Sequence, residues 1–284
     1  MKLKIIETPR DAMQGLKTPI STETKINYIQ QLLEIGFFAV DVGSFVSPKA
    51  IPQMADTTEV LRGLDFSKTT SRVMVTIANL RGAERAMQFP IIDEIAFPYS
   101  VSEEFLRRNI NSDKAKALDT VSRILELCAK NQKELILYNS MAFGNAYGES
   151  WSPEIVAEDM LTLEKMGVKT VILSDTVDLG LPENIHQTFD LIMKGFPKLE
   201  IGAHLHTTEN DWRSHVEAAW DSGCRRFDGV LNGLGGCPMS GKKLVGNLST
   251  KHILQFLDEK KIEHSLDLEA FHKALFAASL LPVN

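Results

Sequence analysis

An α/β fold, a TIM (β/α)8 barrel, is what the sequence predicts, on three observations. Eight short β-branched or apolar runs alternate with helical patterns, and such alternation builds a parallel sheet covered by helices. The length, 284 residues, is close to the ~250 residues that such a barrel takes. Polar residues gather just after the runs, at the end where barrels carry their functional groups. No Pro/Gly/Ser-rich linker divides the chain, so residues 1–284 are expected to form a single barrel domain. A C-terminal extension and a mobile Gly-rich loop after strand 8 complete the expectation. Two Rossmann-like halves fit less well. No Gly-x-Gly-x-x-Gly follows an early strand, and the cluster Gly233-Leu234-Gly235-Gly236 comes too late for a first βα turn.

The expected strands lie near 3–7, 37–42, 72–77, 92–97, 134–139, 169–174, 199–205 and 226–231. Strand 1 stops at Pro9, which puts Arg10 and Asp11 at its carboxyl end. Thr22 or Thr24 caps a helix running through Ile29, Leu32 and Leu33 to Gly36. Ser152-Pro153-Glu154 supplies a cap, a proline for the first helical position and an acid, and Leu181-Pro182-Glu183 opens a helix in similar style. Cys128 and Cys224 sit in helical patterns and read as inert.

A hydrophobic fraction of 44% with 24% charged residues is that of a soluble globular protein. The formal net charge of −6, with no long basic run, argues against a nucleic-acid or anionic-membrane surface. No stretch approaches the ~20 apolar residues of a membrane span. Three cysteines without a CxxC pair, and no signal-peptide pattern, suit a reducing, cytoplasmic location.

His204-x-His206 is the sharpest local motif. Residues i and i+2 of a strand share a face, so the two imidazoles can chelate one ion. Asp11 across the barrel offers a hard oxygen, and the amide oxygen of Asn247 can complete a mixed N/O set. Mg²⁺, Mn²⁺ and Zn²⁺ all suit such ligands, with Mg²⁺ or Mn²⁺ preferred. Gly235-Gly236-Cys237-Pro238 places a thiol on a glycine loop, where it can act as acid, base or nucleophile. Lys242 and Lys243 beyond it can meet a phosphate or simply be solvated. Asp41, Ser44, Ser140, Asp175 and Thr176 close other runs.

Several separated stretches together resemble one family. They are Thr8-Pro9-Arg10-Asp11-Ala12-Met13-Gln14, Ser44-Phe45-Val46-Ser47-Pro48-Lys49, Ile51-Pro52-Gln53-Met54, Asn109-Ile110-Asn111, Ser174-Asp175-Thr176, His204-x-His206, and Gly233-Leu234-Gly235-Gly236-Cys237-Pro238 running on to Gly246-Asn247-Leu248. In this order they resemble the 3-hydroxy-3-methylglutaryl-CoA (HMG-CoA) lyase family, within the metal-dependent barrel lyases and Claisen-type synthases. The resemblance implies Asp11, His204, His206 and Asn247 as metal ligands. It implies Arg10 as the arginine facing the thioester carbonyl, and Cys237 as the thiol on the closing loop. Asp175 is implied beside the reacting centre, and Gln14, Lys17, Ser44 and Thr176 around the substrate. A small acyl-CoA substrate, a retro-Claisen cleavage with His204 or next Asp11 as base, and a homodimer follow from the same resemblance.

Several positions depart from the family pattern. Asp41 stands for a glutamate, which shortens the reach of its carboxylate by a methylene and is expected to disturb a positioned hydrogen bond. Thr207-Thr208-Glu209-Asn210 replaces Asp-Thr-x-Gly, Ala12-Met13 replaces Gly-Leu, and Met141 and Asn145 stand where lyases often carry cysteines. Two alternatives therefore stand beside HMG-CoA cleavage. One is an aldolase, lyase or synthase for another 3-hydroxyacyl-CoA or a 2-hydroxy or keto acid. The other is a barrel that binds a ligand without turnover.

Overall fold

A computed structural model of the chain describes residues 2–235 and 245–282. Its strands are β1 (Lys4–Glu7), β2 (Ala39–Ser44), β3 (Arg72–Thr76), β4 (Glu94–Ser100), β5 (Glu134–Ser140), β6 (Thr170–Asp175), β7 (Glu200–Leu205) and β8 (Arg226–Gly229). They pair in sequence order, all parallel, and β8 returns to β1 to close the barrel. The TIM barrel expected from the sequence is the fold found. Helices α1 (Pro9–Gln14) and α2 (Thr22–Leu33) follow β1, α3 (Thr57–Gly63) follows β2, and α4 (Leu80–Ala86) follows β3. Next come α5 (Glu103–Ile110) and α6 (Lys114–Lys130), α7 (Pro153–Lys165), α8 (Pro182–Gly195) and α9 (Trp212–Asp221). After β8, α10 (Thr250–Glu259) completes the helical layer, and the extension α11 (Leu268–Ser279) packs on α2. No helix among the described residues is long and apolar enough to cross a membrane.

Local chemistry sets the helix starts. Ser152 accepts from the Ile155 N–H with Pro153 at the first helical position, as its sequence implies. The cap of α2 is Ser21, not Thr22 or Thr24: its hydroxyl accepts from the Thr24 N–H, and Thr22 is already helical. Cys224 also departs from expectation, lying buried in the turn between α9 and β8 rather than in a helix.

Strand alternation sorts every residue to one of two layers. Ile6, Ala39, Met74, Ala96, Ile136 and Ile172 fill the barrel interior. Their neighbours Val40, Val73, Ile95, Leu137, Val171 and Ile201 face the helices. The first residues of six strands form a charged layer across the amino end. Lys4 and Arg226 meet Glu200 at 2.7 and 3.2 Å, Arg226 meets Glu94 at 3.2 Å, and Arg72 meets Glu94 and Glu134 at 3.3 and 3.2 Å. Gly202 makes room for this layer, since a Cβ there would lie 3.0 Å from the Arg226 Cγ. Burial pushes the Glu94 carboxyl up, and Arg226 and then Arg72 pull it back.

Removing one partner of such a buried pair strands the other charge. Arg226→Ala is expected to cost ~3–5 kcal/mol of unfolding free energy by that reasoning. In urea melts, the double change Arg226→Met with Glu94→Leu should recover much of the loss.

Candidate active site and metal centre

The carboxyl ends of the strands carry the site. Thr8 donates its hydroxyl to the Gly229 carbonyl at 3.1 Å, tying the end of β1 to the end of β8. Pro9 then starts α1 at once, so Arg10 and Asp11 lie buried in the first turn of a six-residue helix over the barrel mouth. The Arg10 guanidinium reaches Asp41 Oδ2 at 2.8 Å from Nε and 2.7 Å from Nη2, and Asp11 Oδ1 at 3.4 Å from Nη1. Thr76 donates to the same Asp41 oxygen at 3.0 Å. The shorter side chain at position 41 therefore makes its hydrogen bond, against expectation. A bulge between Asp41 and Gly43 shifts the β2 register there. Asp41 touches Arg10 and positions it.

On β7, the parity that sends Ala203 and Leu205 outward turns His204 inward, with His206 two residues on. Asp11, His204 and His206 are all buried and each offers a ligand atom within 4.8 Å of the others. The two imidazole centroids are 5.4 Å apart. His204 lies between carboxylates, with Nε2 3.6 Å from Asp11 and Nδ1 3.3 Å from Asp228. Tyr138 donates its hydroxyl to the same Asp228 oxygen at 2.6 Å and sets its ring edge-on to His204. Asn247 forms an isolated bridge with His206. Its Nδ2 donates to the Leu234 carbonyl at 2.9 Å, while its Oδ1 is buried without a partner. Gly235, at φ 91°, passes close by: a Cβ there would sit 2.6 Å from the Asp11 carbonyl oxygen and 2.9 Å from Asn247 Nδ2.

The electrostatics suit a dication. Burial pulls the Arg10 pKa down, yet Asp41 and then Asp11 hold it above its usual value. Burial pushes Asp11 up, but Arg10 and the two imidazoles bring it below the ordinary carboxylate range. Burial, then the neighbouring His204, drops His206 to about 3, which leaves a neutral ring with a lone pair to give. Burial lowers His204 too, but its hydrogen bond and charge interaction with Asp228, then Asp11, carry it above the usual value. His206 Nδ1, Asn247 Oδ1 and Asp228 Oδ1 are buried atoms with no hydrogen-bond partner. Such orphans are costly in a protein interior unless something else binds them. Asp11 and Asp41 face the Arg10 guanidinium, and the donor set of one carboxylate with two imidazoles suits an ion of charge +2.

A pocket opens beside this cluster, and its two sides differ. Tyr138, Ser140, Ser174, Thr176 and His204 line it from β5–β7 and the end of β6, while Ala96 and Pro98 on β4, with Ala78, Phe105 and Ile110 after β3 and β4, make an apolar side. Gln14 lines it and donates to Asp11 Oδ1. Thr176 lines it too, its hydroxyl 3.9 Å from the Met141 sulfur.

Five expected site residues among those described fall outside the pocket lining: Asp41 and Asn247, which meet lining residues Arg10 and His206, and Asp175, Ser44 and Lys17. Asp175 has the outward parity of β6. Its carboxylate accepts from the N–H groups of Val177, Leu179 and Gly180 at 3.1, 3.3 and 2.7 Å, so it shapes the turn rather than the reacting centre. Ser44 is buried with its hydroxyl accepting from the Val46 N–H. Lys17 is exposed in the turn after α1. Cys237, Lys242 and Lys243 lie outside the described residues. Sequence reasoning passed over Asp228 and Thr76. The signal was available in the alternation: Asp228 has parity opposite to the outward Phe227, and Thr76 opposite to Val75.

The HMGL-like family model matches residues 2–276. The chain belongs to that family. A 3-hydroxy-3-isohexenylglutaryl-CoA/hydroxy-methylglutaryl-CoA lyase of Pseudomonas aeruginosa is 32% identical over 95% of this chain and 89% of its own length. A hydroxymethylglutaryl-CoA lyase of Pseudomonas mevalonii is 31% identical over 94% of this chain and 88% of its own. Among solved structures, hydroxymethylglutaryl-CoA lyase from Pseudomonas aeruginosa superposes with a TM-score of 0.90 at 30% identity, covering 100% of this chain and 94% of that one.

Asp228 holds one nitrogen of His204 and so fixes which nitrogen faces Asp11. An outer partner of this kind is worth about 10–100-fold in metal affinity. Calorimetry should show Asp228→Asn binding Mn²⁺ weaker by that factor.

Proposed function

We propose that the protein is a divalent-metal-dependent carbon–carbon lyase that cleaves HMG-CoA to acetyl-CoA and acetoacetate. The convergence of Asp11, His204 and His206 at the pocket, with Arg10 alongside, carries this reading. Asp11, His204, His206 and Asn247 are the residues that would hold Mg²⁺ or Mn²⁺, or else Zn²⁺, a Lewis acid for the substrate's tertiary alkoxide and carboxylate.

Every other part of the work falls to the chain. Arg10, fixed by Asp41, directs positive charge at the thioester carbonyl, where charge arrives as the carbon–carbon bond breaks and an enolate forms. His204 accepts the hydroxyl proton, with Asp11 as the next choice. One nitrogen cannot hold a cation and a proton together, so the two roles divide in time or between these residues. A proton on His204 sits between the Asp228 and Asp11 carboxylates that favour it. Cys237 is assigned to protonating the enolate. Gln14 orients Asp11, and Thr176 is offered to the substrate from the pocket wall. Asp41 serves Arg10. Residues 1–284 act as one catalytic domain, in the cytoplasm, as a homodimer.

The apolar side of the pocket favours a second reading on the same frame, a 3-hydroxyacyl-CoA with a larger substituent at C3. Ala78, Ala96 and Pro98 are small side chains at that wall, and the Pseudomonas aeruginosa relative is named for an isohexenyl substrate as well as the methyl one.

Purified protein with Mg²⁺ or Mn²⁺ is expected to release acetoacetate from HMG-CoA, and a chelator should stop the release. No release, with cleavage of a longer 3-substituted analogue, would select the second reading. Arg10→Gln should lower kcat by about 10²–10³-fold, the usual cost of losing one donor to a developing oxyanion. An unchanged kcat in that variant would remove Arg10 from the mechanism.

A further inference from the structure

A second group of potential metal ligands lies apart from the barrel mouth. Asp178 follows β6 in the loop that carries Thr176 to the pocket, and Asp211 and His215 stand at the start of α9 and in its body. The three offer ligand atoms within 4.8 Å of one another. His215 is 5% exposed, and its Nδ1 is buried without a hydrogen-bond partner. A buried imidazole nitrogen with no protein partner is an unmet acceptor or donor in the interior, and here it belongs to a ring set against two carboxylates.

The charges around the group are of one sign. Burial raises Asp178 to about 6, and Asp211 and then Asp175 push it in the same direction. Asp211 is partly answered by Thr208, whose N–H and hydroxyl donate to its two oxygens at 2.7 and 2.5 Å. Asp175 is answered mainly by backbone amides, with His215 adding a weaker charge interaction. The backbone at Asp178 has φ 53°, a conformation that glycine adopts at less cost.

We propose that Asp178, Asp211 and His215 form a second divalent-cation site. Two carboxylates and one neutral imidazole make a mixed O/N set suited to a borderline dication such as Mn²⁺ or Zn²⁺. Burial holds His215 below the usual histidine pKa, so its lone pair is free for a ligand bond near neutral pH. An ion here joins the β6–α8 loop to α9 and so braces the segment that presents Thr176. It takes no part in bond breaking.

The test is a Mn²⁺ count on the full chain by electron paramagnetic resonance, paired with thermal melts. Wild type is expected to bind two ions per chain, Asp178→Gly one, Asp11→Asn one, and the double variant none. Glycine suits φ 53°, so Asp178→Gly should fold without penalty, and its melting temperature without metal reports this directly. In the Asp11→Asn background, Mn²⁺ should raise Tm, and adding Asp178→Gly or His215→Gln should abolish that rise. One ion in wild type that vanishes in Asp11→Asn overturns the second site alone. Two ions retained in Asp178→Gly overturns the ligand assignment, and none in wild type overturns both sites.

Discussion

The mouth of this barrel depends on one carboxylate shared among three cationic or potentially cationic groups. Asp11 faces Arg10 on one side and two imidazoles on the other, all of them buried. Taking charge out of water is expensive unless partners are supplied in good geometry. Here the partners come from α1 and from the end of β7, and are themselves held by Asp41 on β2 and Asp228 on β8, so the barrel has to close before the carboxylate is satisfied. That dependence links fold and chemistry. The same geometry that lowers the cost of burying Asp11 also aligns the donors for an ion and aims the guanidinium into the pocket.

The two ends of the barrel treat charge differently. At the amino end, Lys4, Arg72 and Arg226 pair off with Glu94, Glu134 and Glu200. Phe38 covers this layer, with the Lys4 ammonium 4.2 Å from its ring centre. The carboxyl end is left with orphaned oxygens and nitrogens on Asp41, Asp228, Asn247 and His206. Unpartnered buried atoms occur at both ends, with Glu94 Oε1 and Arg226 Nε at the amino end, but those at the carboxyl end gather around the residues that open into the pocket.

Much of this was legible in the residues. Strand count, closure and the Ser152-Pro153 helix start rest on local signals, namely periodicity, caps and proline, and these survive folding unchanged. The grouping of Asp11 with His204 and His206 followed from parity on one strand and the known position of strand ends. Asp175 was misplaced because polarity near a strand end was weighed without parity. One residue either way separates a side chain in the pocket from one turned to the loop amides. Asp228 was missed for the converse reason, a lone acid in a four-residue strand next to a prominent glycine motif. The contact of Asp41 with Arg10 was not readable, because it joins the start of α1 to β2 and leaves no mark in the residue pattern of either.

Gly202 has a consequence for how such a scaffold changes over time. Its missing side chain is what lets the Arg226 stem run through the interior, and so it keeps the ionic base of the barrel independent of the loops at the far end. Loops can be exchanged, lengthened or re-tooled for a new acyl chain while the foundation stays sealed. A side chain at that one position would press on the Arg226 stem and on Ile172, and the foundation would have to shift to admit it.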